Sequence, residues 1–490
     1  MNYRMMGRFI SKILAVEAVF MLPALLISLY NKEMRSVQGF LTTIVITMAV
    51  ALGLRFLCRK AKKGFYAREG MVCVGASWIV MSLLGCLPFW FSGEIPDFVD
   101  ALFETVSGFT TTGASILDDV EALSMGNLYW RSFTHWLGGM GVLVFVLAIG
   151  RSKRGSKNGD KSDGYTMHLL RAESPGPRVG KLVPKMKDTA KILYCLYIFL
   201  TVLNVIFLLA GRMPLFDAVC TAFGTAGTGG FGIKADSIAG YSPYLQNVCT
   251  VFMLLFGVNF ACYYMLLIRQ VKSVLMDEEL RFYIGIVAGS VLLIAWNVRG
   301  MYETLGETVR YAAFQVASIV TTTGFATTDF DLWPSFSKAI LLGLMMVGAC
   351  AGSTGGGFKC GRALLLIKSL RRNVRWILHP QKVQVVRVNR QMVQEWVLDN
   401  TNAYLAAYVM IVVASFIVIS IDGFSSMTNF SAVLACFNNI GPGLEGVGPT
   451  CNFGGYSLLS KGVLIVDLLA GRLEIFPILI LFSKSTWTRR

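Results

Sequence analysis

Reduced to apolar and polar positions, the chain is a series of long apolar blocks separated by short polar or basic stretches. Blocks close to the roughly 17–25 residues that cross a bilayer as a helix lie at 38–57, 71–91, 127–149, 189–210, 245–268, 403–421 and 456–482. The first 30 residues have a basic start and an apolar run, as a signal peptide does. They lack a small-x-small cleavage site, and the run is long and carries Lys12 and Glu17. They predict a retained first span.

Between spans, one pattern returns four times: "DALFETVSGFTTTGAS" (100–115), "FDAVCTAFGTAGTGGFG" (216–232), "YAAFQVASIVTTTGFATTD" (311–329) and "FSAVLACFNNIGPGLEG" (430–446). Each begins with about ten mostly apolar or small residues, enough for a short half-helix. Each then turns to Thr, Asn or Gly and reaches a glycine: Gly113, Gly230, Gly324 and Gly441, spaced by 117, 94 and 117 residues. A single Thr/Gly run in a membrane helix is ordinarily a packing surface. Four in equivalent positions are a repeat.

The predicted fold is an all-α polytopic membrane protein. Two N-terminal spans (1–70) precede four span–pore-loop–span repeats at 71–188, 189–281, 282–400 and 401–490. That amounts to about ten full spans and four re-entrant half-helices. A half-helix that dips into the membrane leaves backbone groups that lipid cannot satisfy, so it must be buried in protein or line a water-filled path. Its C-terminal dipole favours a cation at the membrane centre. The Thr/Gly segment that follows can aim carbonyl oxygens at an ion in place of its water shell. Four segments around one axis would form a pseudo-fourfold cation filter from a single chain.

Composition fits this picture. The 490 residues are 54% hydrophobic and 15% charged, against about 25% charged in soluble proteins, and mean hydropathy is +0.59. A net charge of +16 invites a nucleic-acid partner, but its distribution argues against one. Five Lys/Arg fall in 59–68, ten against four acids in 151–188, and six with no acid in 371–390. Such runs orient a membrane protein and attract anionic lipid. They predict cytoplasmic N- and C-termini, with all four half-helices on the outer side, where "SGEIPDFVD" and "DDVE" are acidic. Eleven scattered cysteines without CxxC and three dispersed histidines (His135, His168, His379) offer no metal cluster. No catalytic cluster lies on the spans, so an enzyme is not expected. Gly227, Gly229 and Gly232 satisfy G-x-G-x-x-G but follow a half-helix instead of a strand. "GSTGGGFK" (352–359) lacks the Lys-Ser/Thr pair of a phosphate loop. No organic cofactor is expected on this chain.

Two features are candidates for control. In "LLGLMMVGACAGSTGGGFKCGRALLLIKSLRR" (341–372), an apolar helix is interrupted over 348–357 by five glycines, Ser353 and Thr354. Each glycine costs about 1 kcal/mol against alanine in a helix, so the helix should break there. The break is either a flexible joint or a mobile loop that blocks ions under the filter. Arg472 lies deep in an apolar span, where an arginine faces a partner or a water path. Asp467 and Glu474 are near enough for an ion pair; the alternative is that Arg472 projects into the pore as a barrier to cations. Glu104, in the first half-helix, either concentrates cations or hydrogen-bonds within its repeat.

The stretches "ALFETVSGFTTTGAS", "TTTGFATTD", "GACAGSTGGGFKCGR" and "GRLEIFPILILF" resemble the Trk/Ktr/HKT superfamily of potassium transporters, closest to the TrkH branch, which has the two extra N-terminal spans. The resemblance covers nearly the whole chain. It implies potassium uptake across a bacterial inner membrane, a homodimer, and a TrkA-like cytosolic nucleotide-binding partner. Carried over by motif, the K⁺ filter is Thr111, Thr112 and Gly113; Thr228, Gly229 and Gly230; Thr322, Thr323 and Gly324; Asn439, Ile440 and Gly441. The second and fourth segments depart from TTTG. The resemblance also implies a gate at Gly352, Ser353, Thr354, Gly355, Gly356 and Gly357, with Lys359 beside it, and places Arg472 below the filter. A rival expectation is a secondary transporter, a symporter coupling K⁺ to H⁺ or Na⁺.

Overall fold

The computed structural model describes residues 2–59, 67–141 and 186–487. The basic stretch 60–66, almost all of the basic loop 151–188 with His168, and the end of the apolar block 127–149 lie outside them.

The described chain is mostly helical, with one hairpin of two two-residue strands. The N-terminal extension is α1 (Tyr3–Phe20), α2 (Leu22–Tyr30) and α3 (Met34–Leu57). Repeat 1 follows as α4 (Ala67–Gly85), α5 (Leu87–Ser92), pore helix α6 (Phe98–Phe109) and α7 (Met125–Gly139). Repeat 2 is α8 (Met186–Ala210), pore helix α9 (Leu215–Gly227), α10 (Pro243–Phe256) and α11 (Phe260–Leu267), with a short α12 (Val271–Leu275). Repeat 3 is α13 (Glu278–Val298), pore helix α14 (Leu305–Val320), α15 (Ser335–Val347) and α16 (Cys360–Leu378). Strands β1 (Arg387–Val388) and β2 (Gln391–Met392) lead to repeat 4: α17 (Glu395–Ile419), pore helix α18 (Ser426–Phe437), α19 (Leu458–Arg472), α20 (Phe476–Phe482) and the terminal α21 (Lys484–Trp487).

Local chemistry sets the helix starts. Asp97, Ser124, Ser242, Thr304, Ser425 and Ser457 each accept a backbone N–H in the first turn of α6, α7, α10, α14, α18 and α19, satisfying a donor that has no partner within its helix.

The repeats are arranged in a closed cycle. Each pore helix packs on the second helix of its own repeat and on that of the preceding one: α9 on α7, α14 on α10, α18 on α15, and α6 on α19 of repeat 4. The pore helices are thereby enclosed by protein, as re-entrant backbone requires. The extension braces repeat 1. Glu33 accepts from Met125 N (2.8 Å) and Gly126 N (3.3 Å) at the start of α7. Glu94 accepts from Ser36 Oγ (2.7 Å) and Ser124 N (3.1 Å).

Six described helical segments are long and apolar enough to cross a membrane: Tyr3–Tyr30, Met34–Leu57, Arg68–Ser92, Asp188–Ala210, Glu278–Val298 and Glu395–Asp422. A seventh is added if the bent pair α10–α11 counts as one. The sequence predicts about ten full spans. The difference lies in the second helices. The sequence marks only the third as broken, yet all four end or bend at a similar point. Helix α7 stops at Gly139. Helices α10 and α11 meet at 88°. Helices α15 and α16 are separated by residues 348–359, and α19 and α20 by 473–475. The first segments of the other three are 13 to 15 residues long, or about 20–23 Å at 1.5 Å per residue.

Candidate ion pathway

The four pore helices end alike. The N–H groups of Thr112, Gly229, Thr323 and Ile440 donate to carbonyls five residues back, on Ser107, Gly224, Ser318 and Ala435, at 2.8–2.9 Å. Those of Thr111, Thr228, Thr322 and Asn439 donate to Gly108, Thr225, Ile319 and Cys436 at 3.1–3.2 Å. This is a Schellman stop, whose left-handed position is usually glycine. Here it holds Thr111 (φ 56°), Thr228 (54°), Thr322 (59°) and Asn439 (55°). Three β-branched residues in that region are outliers, and strain of this kind persists only where the surroundings enforce it. Two residues on, each segment turns left-handed again at Gly113 (φ 81°), Gly230 (79°), Gly324 (86°) and Gly441 (98°).

These glycines close a ring. A Cβ on Gly113 would run into the carbonyl oxygen of Gly229, one on Gly230 into that of Thr323, and one on Gly324 into that of Ile440. One on Gly441 would lie 2.7 Å from that of Thr112. Each segment therefore presses its glycine against the next segment's carbonyl, in the order 1–2–3–4–1. All four glycines line a single cavity that also touches Asp118, Lys234 and Asn452, a vestibule above the ring. These approaches bring together eight of the twelve residues expected from the motif, Thr112, Gly113, Gly229, Gly230, Thr323, Gly324, Ile440 and Gly441, while Thr111, Thr228, Thr322 and Asn439 hold the left-handed turns just before them.

The ring is braced from behind. Glu104 is buried and accepts from Arg131 Nε (2.6 Å), Ser115 Oγ (3.0 Å) and Ile116 N (3.0 Å). Hydrogen bonding within the fold accounts for Glu104. Arg131 also donates to Gly232 O (2.8 Å), and its guanidinium lies 3.5 Å from the Phe231 ring centre. His135 Nδ1 bonds Gly108 O (2.8 Å), while its Nε2 accepts from Phe231 N (3.2 Å). Helix α7 thus fixes the start of the second segment's return. Elsewhere, Ile238 N donates to Ala326 O (3.1 Å) between repeats 2 and 3, and Phe453 N to Ser115 O (2.8 Å) between repeats 4 and 1.

Beneath the ring lies the glycine-rich break, with Gly348, Gly352 and Gly357 at φ 73–75° and Lys359 at 79°. Cys350 N donates to Gly257 O (3.1 Å), and Phe260 N to Gly352 O (3.0 Å). Gly356 N donates to Thr322 Oγ1 (2.7 Å). Ala351 N donates to the Glu279 carboxylate (2.6 Å). A Cβ on Gly355 would lie 2.8 Å from Thr321 O, and one on Gly356 2.9 Å from Asn438 O. The loop therefore sits directly against the turns that end α14 and α18. Arg472 reaches it from another side: Nη1 donates to Thr354 O (2.9 Å), and Nη2 to Gly139 O (2.7 Å) and Gly138 O. Of the acids near it in sequence, Glu474 pairs with Arg362 (2.7 Å) and Asp467 accepts from Ser415 (2.8 Å). Lys359 is fully buried and donates to Gly355 O within its own loop.

Sequence reasoning missed the Arg131 and His135 braces, Glu279 under the loop, the breaks between α10 and α11 and between α19 and α20, and the end of α7 at Gly139. Signals for the breaks were present: the helix-capping Asn259 in "GVNF" and Pro477 in "EIFP". The long-range partners of Arg131 and His135 left no local signal.

The profile of the TrkH family, a cation transport protein, matches residues 36–488. The chain is 34% identical to the Trk system potassium uptake protein TrkH of Salmonella typhimurium, over 99% of this chain and 100% of that one. It is likewise 34% identical to the protein of the same description from Escherichia coli K12, with the same coverage. The crystal structure of the potassium transporter TrkH from Vibrio parahaemolyticus superposes with a TM-score of 0.88 at 31% identity, covering 100% of both chains.

Proposed function

The chain belongs to the TrkH family of cation transport proteins, and from that premise we propose that it takes up potassium across a bacterial inner membrane through one pore per chain. It is a multi-pass membrane transporter. Its relatives are named as Trk-system potassium uptake proteins. The observation that carries the reading is the ring of four glycine–carbonyl approaches. The twelve residues 111–113, 228–230, 322–324 and 439–441 supply the oxygens that replace water around K⁺. Two further acceptors at the left-handed positions, Thr111 Oγ1 and Asn439 Oδ1, are buried without a hydrogen-bond partner among the described residues.

Control falls to residues 352–357 and Arg472. The loop fills the space under the ring, and Arg472 adds a fixed positive charge there that repels cations. Lys359 holds the loop's own shape. The vestibule faces outward and both termini inward, following the charge of the connecting segments. A second copy of the chain and a TrkA-like nucleotide-binding regulator complete the assembly.

One pair of observations favours coupled transport as the second reading. Glu17 is buried with neither carboxylate oxygen hydrogen-bonded among the described residues, and Asp467 Oδ2 is likewise orphaned. Such groups are where proton-coupled carriers hold their proton. Reversal potentials in proteoliposomes separate the two. A potential set by the K⁺ gradient alone supports the pore, whereas one that moves with an imposed pH gradient supports coupling. Equal permeation by Na⁺ and Rb⁺ would sink the filter assignment.

A further inference from the structure

The end of α16 forms a basic cavity that the transport pathway does not use. Arg375, His379, Lys382 and Arg387 line an open space of about 580 Å³ together with Leu378 and Val385. No acidic residue lines it, and none of the four basic side chains is in an ion pair among the described residues. Arg375 and His379 sit at the carboxyl end of a helix, where the dipole alone favours a cation. Lys382 and Arg387 lie beyond the helix and have no such reason to be there.

Both walls are built. The hairpin carrying Arg387 is held to α16 and α17 by a small core of Leu365, Val386, Val388 and Leu398. Lys368 of α16 donates to Arg387 O (2.7 Å) and pairs with Glu278. Asn389 donates to Asp277 Oδ2 (2.6 Å) at the start of α13. Three cationic side chains, Arg375, Lys382 and Arg387, thus converge with His379 on one space at the membrane face opposite the vestibule. Leu378 is 67% exposed, and Trp376, 58% exposed, lines an adjoining space that shares Lys382, Val383 and Gln384 with this cavity.

We propose that this cavity binds the phosphate of an anionic phospholipid. Guanidinium groups match phosphate oxygens geometrically, and an indole beside aliphatic side chains suits the boundary between headgroup and acyl chain. The apolar rim selects a lipid over a soluble phosphate. The site bears on transport through its place in the chain. Helix α16 runs unbroken for 19 residues, about 28 Å, from this cavity to Cys360. There Cys360 N donates to Ala349 O (2.9 Å) and Sγ to Gly348 O (3.0 Å). A headgroup that fixes the far end of α16 favours the loop position described above.

Native mass spectrometry of the purified full-length chain, titrated with phosphatidylglycerol or phosphatidylcholine, tests this without relying on ion flux. The double variant Arg375→Gln/Arg387→Gln should bind phosphatidylglycerol roughly twentyfold to thirtyfold more weakly, at about fivefold per basic residue. Arg375→Lys/Arg387→Lys, which keeps the charge and loses the guanidinium fork, should bind between the wild type and the Gln pair. A control, Arg55→Gln/Arg59→Gln, which removes equal charge from the exposed end of α3, should leave it unchanged. The proposal is overturned if phosphatidylcholine binds as well, if the control loses as much, or if soluble glycerol phosphate competes at equal concentration. Rb⁺ flux in phosphatidylcholine vesicles should fall on adding phosphatidylglycerol for the wild type and not for the Gln pair. An equal response in both would remove the link to the gate.

Discussion

At the scale of single residues, the proposed filter is a problem of close approach. Gly113, Gly230 and Gly324 leave no room for a Cβ beside the neighbouring carbonyl, while Gly441 leaves slightly more. An L-residue in the left-handed region costs about 1–2 kcal/mol before any clash. Gly113→Ser should therefore lower Rb⁺ over Na⁺ discrimination more than Gly441→Ser does, measured as paired isotope flux. Unchanged discrimination in Gly113→Ser would remove that segment from the filter. Glu104 shows the opposite kind of residue, one that acts only through what it holds. Glu104→Gln leaves Arg131 buried without its counter-charge, a loss of about 3–5 kcal/mol. The melting midpoint in detergent should fall clearly, and a midpoint equal to wild type would refute the brace. Glycine and threonine were legible in the sequence because their reasons are local. The reason for Glu104 was not, because Arg131 lies a helix away and Gly232 a repeat away.

At the scale of elements, the turn that ends α14 and the loop between α15 and α16 share a hydrogen bond. The Thr322 hydroxyl accepts from Gly356 N, so one side chain joins the third filter segment to the loop. Thr322→Val keeps the shape and removes the acceptor. It should raise basal Rb⁺ flux severalfold, the scale expected from losing a hydrogen bond worth about 1 kcal/mol, and Thr322→Ser should restore it. No change in flux would mean that the loop is held by its other contacts alone. The broken third helix was visible in the sequence because five glycines in ten residues cannot hold a helix. The breaks between α10 and α11 and between α19 and α20 rest on one or two residues each. There the apolar pattern continues across the break, and hydropathy reads straight through it.

At the scale of the molecule, the N-terminal extension supports the first quarter of the ring. Glu33 supplies two acceptors to the start of α7, and α7 carries Arg131 and His135. Glu33→Ala should cost about 1 kcal/mol, as loss of a helix cap does, and appear as a modest drop in thermal midpoint. Larger losses of ion selectivity than of stability would show that the extension sets filter geometry as well. The fourfold plan was readable because the spacing of Gly113, Gly230, Gly324 and Gly441 is a whole-chain signal that survives divergence at each site. The order of the ring was not, since it is written in contacts between segments about a hundred residues apart.

That ring comes from one gene product and not from four identical ones. In a homotetramer, any change to the filter arrives in quadruplicate and must be tolerated four times at once. Here each quarter can vary alone while three neighbours hold the geometry. The first and third segments keep paired hydroxyls at Thr110–Thr112 and Thr321–Thr323, both 2.8 Å apart, whereas the second has Gly227 and Gly229 and the fourth Asn438 and Ile440 in those places. The fourth segment has even used its freedom to recruit Asn439 as a strut, donating to Thr112 Oγ1 and to Leu468 O, both at 3.0 Å. With four unlike quarters in one chain, the ring's symmetry is optional, and its chemistry can change one quarter at a time.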